Sequence, residues 1–182
     1  MKITVYGRGN VGGGLADLWE RSGHRVTRLG REGGDVSEAE VVLLAIPGGA
    51  VGGGFGKLRG FEGKTIIDAT NRFGVEPPAG FASNAEFVKA QSNGPTAKSF
   101  NLNWALLYGR LGQTRARPCS LWCGDDEAAE MVERLTRDAG YDPIRIGKLD
   151  TAGLQEAMMR VMSAAKEELG LFFYRAAAPD QL

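Results

Sequence analysis

Residues 1–32 constrain the fold of this chain more than any other segment. They begin with an apolar run at residues 3–6, which is typical of a buried parallel strand. A glycine-rich turn follows at residues 7–12, and apolar residues then recur at helical spacing before a second strand-like run at residues 25–29. This order predicts an α/β fold with a doubly wound, mostly parallel sheet.

The glycine turn has the spacing of a dinucleotide-binding motif. Gly7 permits a tight turn, Gly9 lets the backbone approach a pyrophosphate, and Gly12 lets the helix pack closely on the strand. The free N–H groups and the dipole of the helix that follows favour a bound phosphate. Although glycine turns are common, the strand and the helix that the motif requires are both present, so we predict a Rossmann-like cofactor site. The predicted contacts are Gly7, Arg8, Gly9, Asn10, Val11 and Gly12.

The end of the second strand indicates which nicotinamide cofactor fits. NAD enzymes usually place Asp or Glu there, whereas this chain has Leu29 and Gly30, followed by Arg31. Together with Arg28, this arginine is suited to hold a 2′-phosphate through charge-assisted hydrogen bonds. The alternatives are that Glu32 serves as the acid, or that both arginines are solvated loop charges. We predict NADP(H), bound through Arg28 and Arg31.

The chain is short between its second and third strands. Residues 32–40 lead directly into the apolar run at residues 41–46, whereas a crossover with a helix needs at least about 10–12 residues. We therefore predict that the second crossover is shortened to a turn and a stub. A second glycine-rich run at residues 48–56 lacks the Gly-Lys-Ser/Thr ending of a phosphate loop. We expect a loop and a weak helix there, with a lid over the cofactor as the alternative.

Polar residues follow a predicted strand at residues 64–69. Asp68, Thr70 and Asn71 lie at the carboxyl edge of the sheet, where open α/β proteins bind ligands. They are either groups beside the nicotinamide or caps of the following loop. Lys98, on a later strand, is the one candidate proton donor in this region, and the alternative is a solvated charge at a strand end.

Composition limits the classes of partner. Lys plus Arg and Asp plus Glu both number 22, and no basic run is present, so we expect no nucleic-acid partner and no membrane partner. The chain begins directly with a strand and has no membrane-length apolar run, which predicts a cytoplasmic protein. Cys119 and Cys123 would lie roughly 13 Å apart on one strand, too far for a disulfide. With a single His in the chain, we predict no metal site.

The chain length fits one domain with a short extension. We predict an NADP-binding domain over residues 1–150 and a helical extension over residues 151–182. The extension contains a Met-rich helix with an aromatic end, which is typical of a core element or a homodimer interface. A wall of the substrate pocket is the alternative.

Taken together, these motifs resemble the deazaflavin-dependent NADP reductases (coenzyme F-420 H2:NADP oxidoreductases) and their bacterial relatives. The resemblance rests on residues 7–12, 23–24, 30–31, 44–47, 67–71, 98–101 and 124–126, in that order. It implies that Ala45, Ile46 and Pro47 pass beside the cofactor, and that Asn71 and Asn101 lie near the nicotinamide pocket. It also implies hydride transfer between NADP(H) and a deazaflavin or flavin.

The chain departs from that family pattern at two places. Archaeal members have His where Asn101 stands, close to the deazaflavin ring. The segment after Arg31 is trimmed on the adenine side. The family's Gly-Ser-Arg sequence corresponds to residues 29–31 here, so the arginine contact carries over and the serine contact does not.

The sequence provides no evident acid–base relay. His24 begins the second strand, at the edge of the sheet away from the predicted site. Hydride transfer to a ring acceptor mainly requires positioning, whereas reduction of a carbonyl or imine usually needs a proton donor. We therefore predict an NADPH-dependent oxidoreductase with a small-molecule ring acceptor and assign no catalytic residue. The alternatives are a non-catalytic NADP(H)-binding redox sensor and a small carbonyl or imine reductase that uses Lys98.

Overall fold

A mostly parallel sheet forms the centre of the fold in a computed structural model that describes residues 1–179. The strands are β1 Lys2–Tyr6, β2 Arg25–Leu29, β3 Gly34–Asp35, β4 Val41–Leu44, β5 Leu58–Arg59, β6 Thr65–Asp68, β7 Thr96–Ser99, β8 Cys119–Gly124 and β9 Asp142–Gly147. The α-helices are α1 Asn10–Arg21, α2 Val51–Phe55, α3 Asn84–Ser92, α4 Ala129–Asp138 and α5 Ala152–Leu169. The main sheet has the order β2-β1-β4-β6-β7-β8-β9, in which only the β7–β8 pair is antiparallel within the described residues. The predicted doubly wound, Rossmann-like fold class is confirmed.

Helices cover both faces of the sheet. Along β4, Val41 and Leu43 contribute to a hydrophobic core that also contains side chains of α1 and α4. Val42 and Leu44 contribute to a second core, with side chains of α2 and α3. Successive side chains of a strand point to opposite faces, so a strand covered on both sides is apolar at every position.

The connection from β2 to β4 has no helix, as the short sequence predicts. Instead, β3 pairs in parallel with β5 in a separate two-stranded sheet. The loop before β3 packs closely against the loop before β5. At Gly33 the two backbones are so close that a Cβ would lie 2.4 Å from the carbonyl oxygen of Lys57. The connection from β2 to β4 therefore contains a strand of a small separate sheet in place of a crossover helix.

The predicted helix in the extension is present as α5, and its apolar residues divide between two faces. Met159 and Met162 are buried in a cluster with Leu102. Leu154 and Val161 are exposed, at 73% and 66% of their possible surface. The aromatic end returns to the sheet, where the backbone N–H of Cys119 donates to the carbonyl of Tyr174 at 2.9 Å. Residues 180–182 of the predicted extension lie outside the described part of the chain.

Cys119 and Cys123 are buried free thiols on β8, as predicted. Burial raises the pKa of Cys123 to about 12, so this thiol is held in its neutral form.

Within residues 1–179, none of the helices has the length and apolar character needed to cross a membrane.

Candidate functional site

The glycine turn after β1 borders an open groove of about 640 Å³ at the carboxyl edge of the sheet. The lining residues come from the ends of β1, β2 and β4. They are Gly7, Arg8, Gly9, Asn10, Val11, Gly30, Arg31, Glu32, Ala45, Ile46 and Pro47. Two separate sequence motifs, the glycine turn and the segment after β4, therefore meet in one groove.

The three motif glycines have different surroundings. Gly7 has a φ of +118°, and a Cβ there would lie 2.3 Å from the carbonyl oxygen of Ala45. A Cβ on Gly12 would lie 2.0 Å from the carbonyl oxygen of Gly7. A Cβ on Gly9, in contrast, would meet no heavy atom within 4 Å. The fold itself thus requires Gly7 and Gly12, whereas Gly9 leaves open space beside the backbone for a ligand.

Helix α1 presents an uncapped N-terminus to the groove. Its N-cap residue is Gly9, no side chain caps the helix, and no acidic residue lies in the first turn. The first N–H groups of a helix lack partners within the helix, and the helix dipole places partial positive charge at this end. Together with the space beside Gly9, this arrangement fits the diphosphate of a dinucleotide.

A second cavity of about 750 Å³ adjoins the groove. The two share Asn10, Val11, Ala45, Ile46 and Pro47 as lining residues. The rest of the second cavity is mainly apolar, with Phe73, Trp104 and Leu106 among its walls, and Asn71 and Asn101 also line it. The two cavities form one cleft that passes over the ends of β1 and β4.

Two amide side chains in the second cavity hold each other. Asn71 Nδ2 donates to the carbonyl of Asn101 at 2.6 Å, and Asn101 Nδ2 donates to Asn71 Oδ1 at 3.0 Å. Gln155 on α5 donates to Asn101 Oδ1 at 2.7 Å. The preceding residue, Phe100, is buried with a φ of +63°. This left-handed conformation is costly for a bulky residue, and it occurs where the chain turns Asn101 into the cavity.

Lys98 is fully buried, so its interpretation as a solvated charge is wrong. Its ammonium donates to Asp68 Oδ2 at 2.8 Å, to the carbonyl of Thr70 at 2.5 Å and to Glu156 Oε1 at 2.9 Å. Glu156 also pairs with Arg72. Neither Lys98 nor Asp68 lines the cleft. Asp68 thus serves this buried network, whereas Thr70 and Asn71 do lie in the second cavity.

The two arginines predicted for the 2′-phosphate have separate environments. Arg28 donates to Glu20 Oε1 and to Asp17 Oδ1, both at 2.6 Å, and its side chain does not line the groove. These carboxylates lie on α1, about two and three turns from its start, and they direct the guanidinium away from the ligand space. Arg31 is exposed and lines the groove.

Sequence reasoning missed three residues of the site region. Gln155 and Glu156 are residues of α5 whose side chains are buried, although polar residues on an amphipathic helix usually face water. Trp104 directly precedes a short 3-10 segment, Ala105–Arg110, in a stretch of sequence that carries no motif. Their placement depends on the docking of α5, which local patterns do not reveal.

Neither a protein-family model nor a curated protein matches this sequence. Solved structures do match. A protein from Arthrobacter sp. FB24 assigned as an F420-dependent NADP reductase has a TM-score of 0.80 and 22% identity, over 98% of this chain and 100% of its own. An imine reductase from Pseudomonas sp. has a TM-score of 0.68 and 17% identity, over 92% of this chain and 63% of its own.

A reductive aminase from Aspergillus terreus, in complex with NADPH and ethyl levulinate, has a TM-score of 0.67 and 16% identity. It is covered over 61% of its length, so this chain spans about three fifths of that enzyme. At these identities the likeness establishes a shared fold. The chain is a Rossmann-fold protein, with a cleft at the edge where this fold binds nucleotides.

Proposed function

We propose that this chain is an NADPH-dependent oxidoreductase that transfers hydride between NADP(H) and a deazaflavin or flavin acceptor. The observation that carries the proposal is the continuous cleft. One end combines the α1 N-terminus, the open backbone at Gly9 and the exposed Arg31. The other end is an apolar cavity with walls that include Trp104 and Phe73, which suits planar rings.

The charges of the second cavity favour a ring acceptor over a carbonyl or imine. Among the described residues that line this cavity, Arg72 alone is ionisable, and its guanidinium pairs with Glu156. Reduction of a carbonyl or imine usually needs a proton donor beside the substrate. The buried position of Lys98 outside the cleft removes the donor that the sequence offered for that chemistry.

The chain's own residues would act by holding and orienting two rings. The nicotinamide, when bound, supplies or accepts the hydride. Ala45, Ile46 and Pro47 lie where the two cavities join, so they are placed to hold the ring between them. The Asn71–Asn101 pair presents amide groups to the same cavity. Such positioning provides a large part of the rate gain in reactions of this type.

The comparisons support the same assignment. The structure assigned as an F420-dependent NADP reductase is matched over its full length. The two buried free thiols suit the reducing cytoplasm, where we propose that the protein acts.

The test is the decay of NADPH absorbance with the purified protein and oxidised deazaflavin, FMN or FAD, beside a ketone and an imine. We expect saturable decay with one ring acceptor and none with the ketone or imine. The variant Leu106→Asp, altered in the wall of the second cavity, should raise KM for the acceptor and leave NADPH affinity unchanged. Binding without decay would support the sensor function, and decay only with the ketone or imine would overturn the proposed acceptor class.

A further inference from the structure

The groove contains an anion-binding position that the chain fills with its own carboxylate. Glu32 Oε1 accepts from the backbone N–H of Gly30 at 3.2 Å and from Arg8 Nη2 at 3.2 Å. A Cβ on Gly30 would lie 2.7 Å from both carboxylate oxygens, so the glycine leaves the room that the carboxylate uses. A backbone N–H with an adjacent guanidinium is also the arrangement that binds a phosphate.

Arg8 and Lys57 act on the charge of this carboxylate, and Arg31 lines the same groove. Arg8 contacts it directly, and Arg31 precedes it in the same groove. Lys57 donates from Nζ to the carbonyl of Arg31 at 3.1 Å. The pKa of Glu32 is lowered by its own backbone N–H, by Arg8, by the N–H of Gly30 and by Lys57. Positive charge therefore exceeds negative charge in this part of the groove, which favours a phosphate monoester, whose charge is about −1.5 to −2 near neutral pH.

Lys57 reaches this position because of the shortened crossover. It lies in the loop between α2 and β5, and the pairing of β5 with β3 brings that loop against the segment after β2. The close approach of Gly33 to the Lys57 backbone fixes the same contact. A cation from a distant part of the sequence thus lies beside the end of β2, where the sequence alone shows Arg28 and Arg31.

We infer that the carboxylate of Glu32 competes with the 2′-phosphate of NADP(H) for this position, and that Lys57 completes the phosphate site. This inference rests on the proposed function. The carboxylate of Glu32 is already held by donors of the chain, whereas the exposed side chain of Arg31 has no partner of its own among the described residues. A 2′-phosphate would take over the Gly30 N–H and Arg8, and it would use the free charges of Arg31 and Lys57. The 2′-hydroxyl of NAD(H) carries no charge with which to displace Glu32.

The experiment measures dissociation constants for NADPH, NADH and adenosine 2′-monophosphate by calorimetry. The variants are Glu32→Gln and Lys57→Met. The matched controls are Glu130→Gln on α4 and Lys148→Met after β9, because neither residue lines the groove. Adenosine 2′-monophosphate isolates the phosphate contact from the nicotinamide half.

Glu32→Gln should bind NADPH and adenosine 2′-monophosphate roughly tenfold more tightly, because the competing charge is removed. Lys57→Met should weaken both by roughly tenfold. NADH affinity should be unchanged in each variant, and both controls should match the parent protein.

Three results would overturn the inference. If Glu32→Gln binds NADH more weakly than the parent protein and binds NADPH with unchanged affinity, then Glu32 is the acid that binds the ribose. Parent-like binding by both variants, in protein that binds NADPH, would remove this inference and leave the proposed function intact. Failure of the parent protein to bind any of the three ligands would overturn the proposed function as well.

Discussion

At the scale of single residues, the three motif glycines have two different roles. Two of them are required by the packing of the fold, and the third leaves space for a ligand. Gly7 and Gly12 lie against backbone oxygens, so a side chain at either position conflicts with the fold. Gly9 faces open space, so a side chain there conflicts only with a ligand. This difference allows cofactor binding to be removed without damage to the fold.

We therefore expect Gly9→Ala to keep the Tm of the parent and to bind NADPH at least about tenfold more weakly. Gly12→Ala should lower the Tm clearly, because its methyl group would lie 2.0 Å from the carbonyl oxygen of Gly7. Thermal unfolding and NADPH titration of both variants provide the check. Parent-like NADPH affinity of Gly9→Ala would contradict the assignment of the diphosphate to this turn.

A second pair of variants distinguishes the two arginines near the end of β2. Arg31→Ala should weaken NADPH binding roughly 10- to 100-fold and leave NADH binding unchanged, since it loses a charge-assisted phosphate contact. Arg28→Ala should change NADPH affinity by less than about threefold, because its guanidinium pairs with Asp17 and Glu20. Titration with both nucleotides tests this, and an equal loss in the two variants would contradict it.

At the scale of elements, one buried charge network fastens α5 to the sheet. Lys98 on β7 pairs with Asp68 on β6 and with Glu156 on α5, and all three side chains are buried. Gln155 on the same helix bonds to Asn101 of the cleft. The position of α5 and the shape of the second cavity therefore depend on each other.

Lys98→Met should destabilise the protein by about 3–5 kcal/mol, because it leaves the buried carboxylate of Asp68 without its cation and removes one of the two cations of Glu156. Lys89→Met is the control: Lys89 pairs with Asp125 at 2.7 Å but is partly exposed, so its loss should cost about 0–1 kcal/mol. Urea unfolding of both variants measures the difference. An unchanged free energy of unfolding for Lys98→Met would show that the network adds no net stability.

At the scale of the whole molecule, the interior around β8 contains several groups that resist ionisation. Burial raises the pKa of Tyr174 and of Cys123 to about 12 each, and it also raises the pKa of Tyr108 and Tyr141. Each raised pKa means that the native state keeps a proton that the unfolded state releases. Stability from these groups is thus complete below the pKa values of the unfolded chain and is lost as the pH rises from about 9 to about 12.

The urea midpoint should therefore be constant between about pH 7 and 8 and lower at about pH 10.5. Parallel unfolding curves monitored by fluorescence and by circular dichroism provide the measurement. A midpoint that stays constant up to about pH 11 would contradict the burial of these phenols and of the thiol.

Helix α5 leaves an apolar stripe on the surface. Leu154, Met158 and Val161 are spaced so that they share one face, and Leu169 is also exposed. We expect a second copy of the chain to cover this stripe, so that light scattering at micromolar concentration gives the mass of a dimer. Val161→Glu should produce a monomer, and Glu167→Gln on the same helix should not. A monomeric parent protein at that concentration would contradict this expectation.

The sequence by itself determined the parts of this protein that depend on neighbouring residues. The glycine turn, the apolar β4 and the shortened crossover follow from spacing and length, because backbone geometry and strand burial act over a few positions. The residues that line the groove follow from the same motifs, since the carboxyl ends of parallel strands meet at one edge.

Only the tertiary structure decided which charged side chains are free to meet a ligand. Arg28 and Arg31 are close in sequence, yet the carboxylates of α1 bind only the former. Lys98 is buried because Glu156, 58 residues away, reaches it from α5. A charged side chain can be buried only where an opposite charge lies beside it in the folded structure. The local sequence does not show where that opposite charge will be.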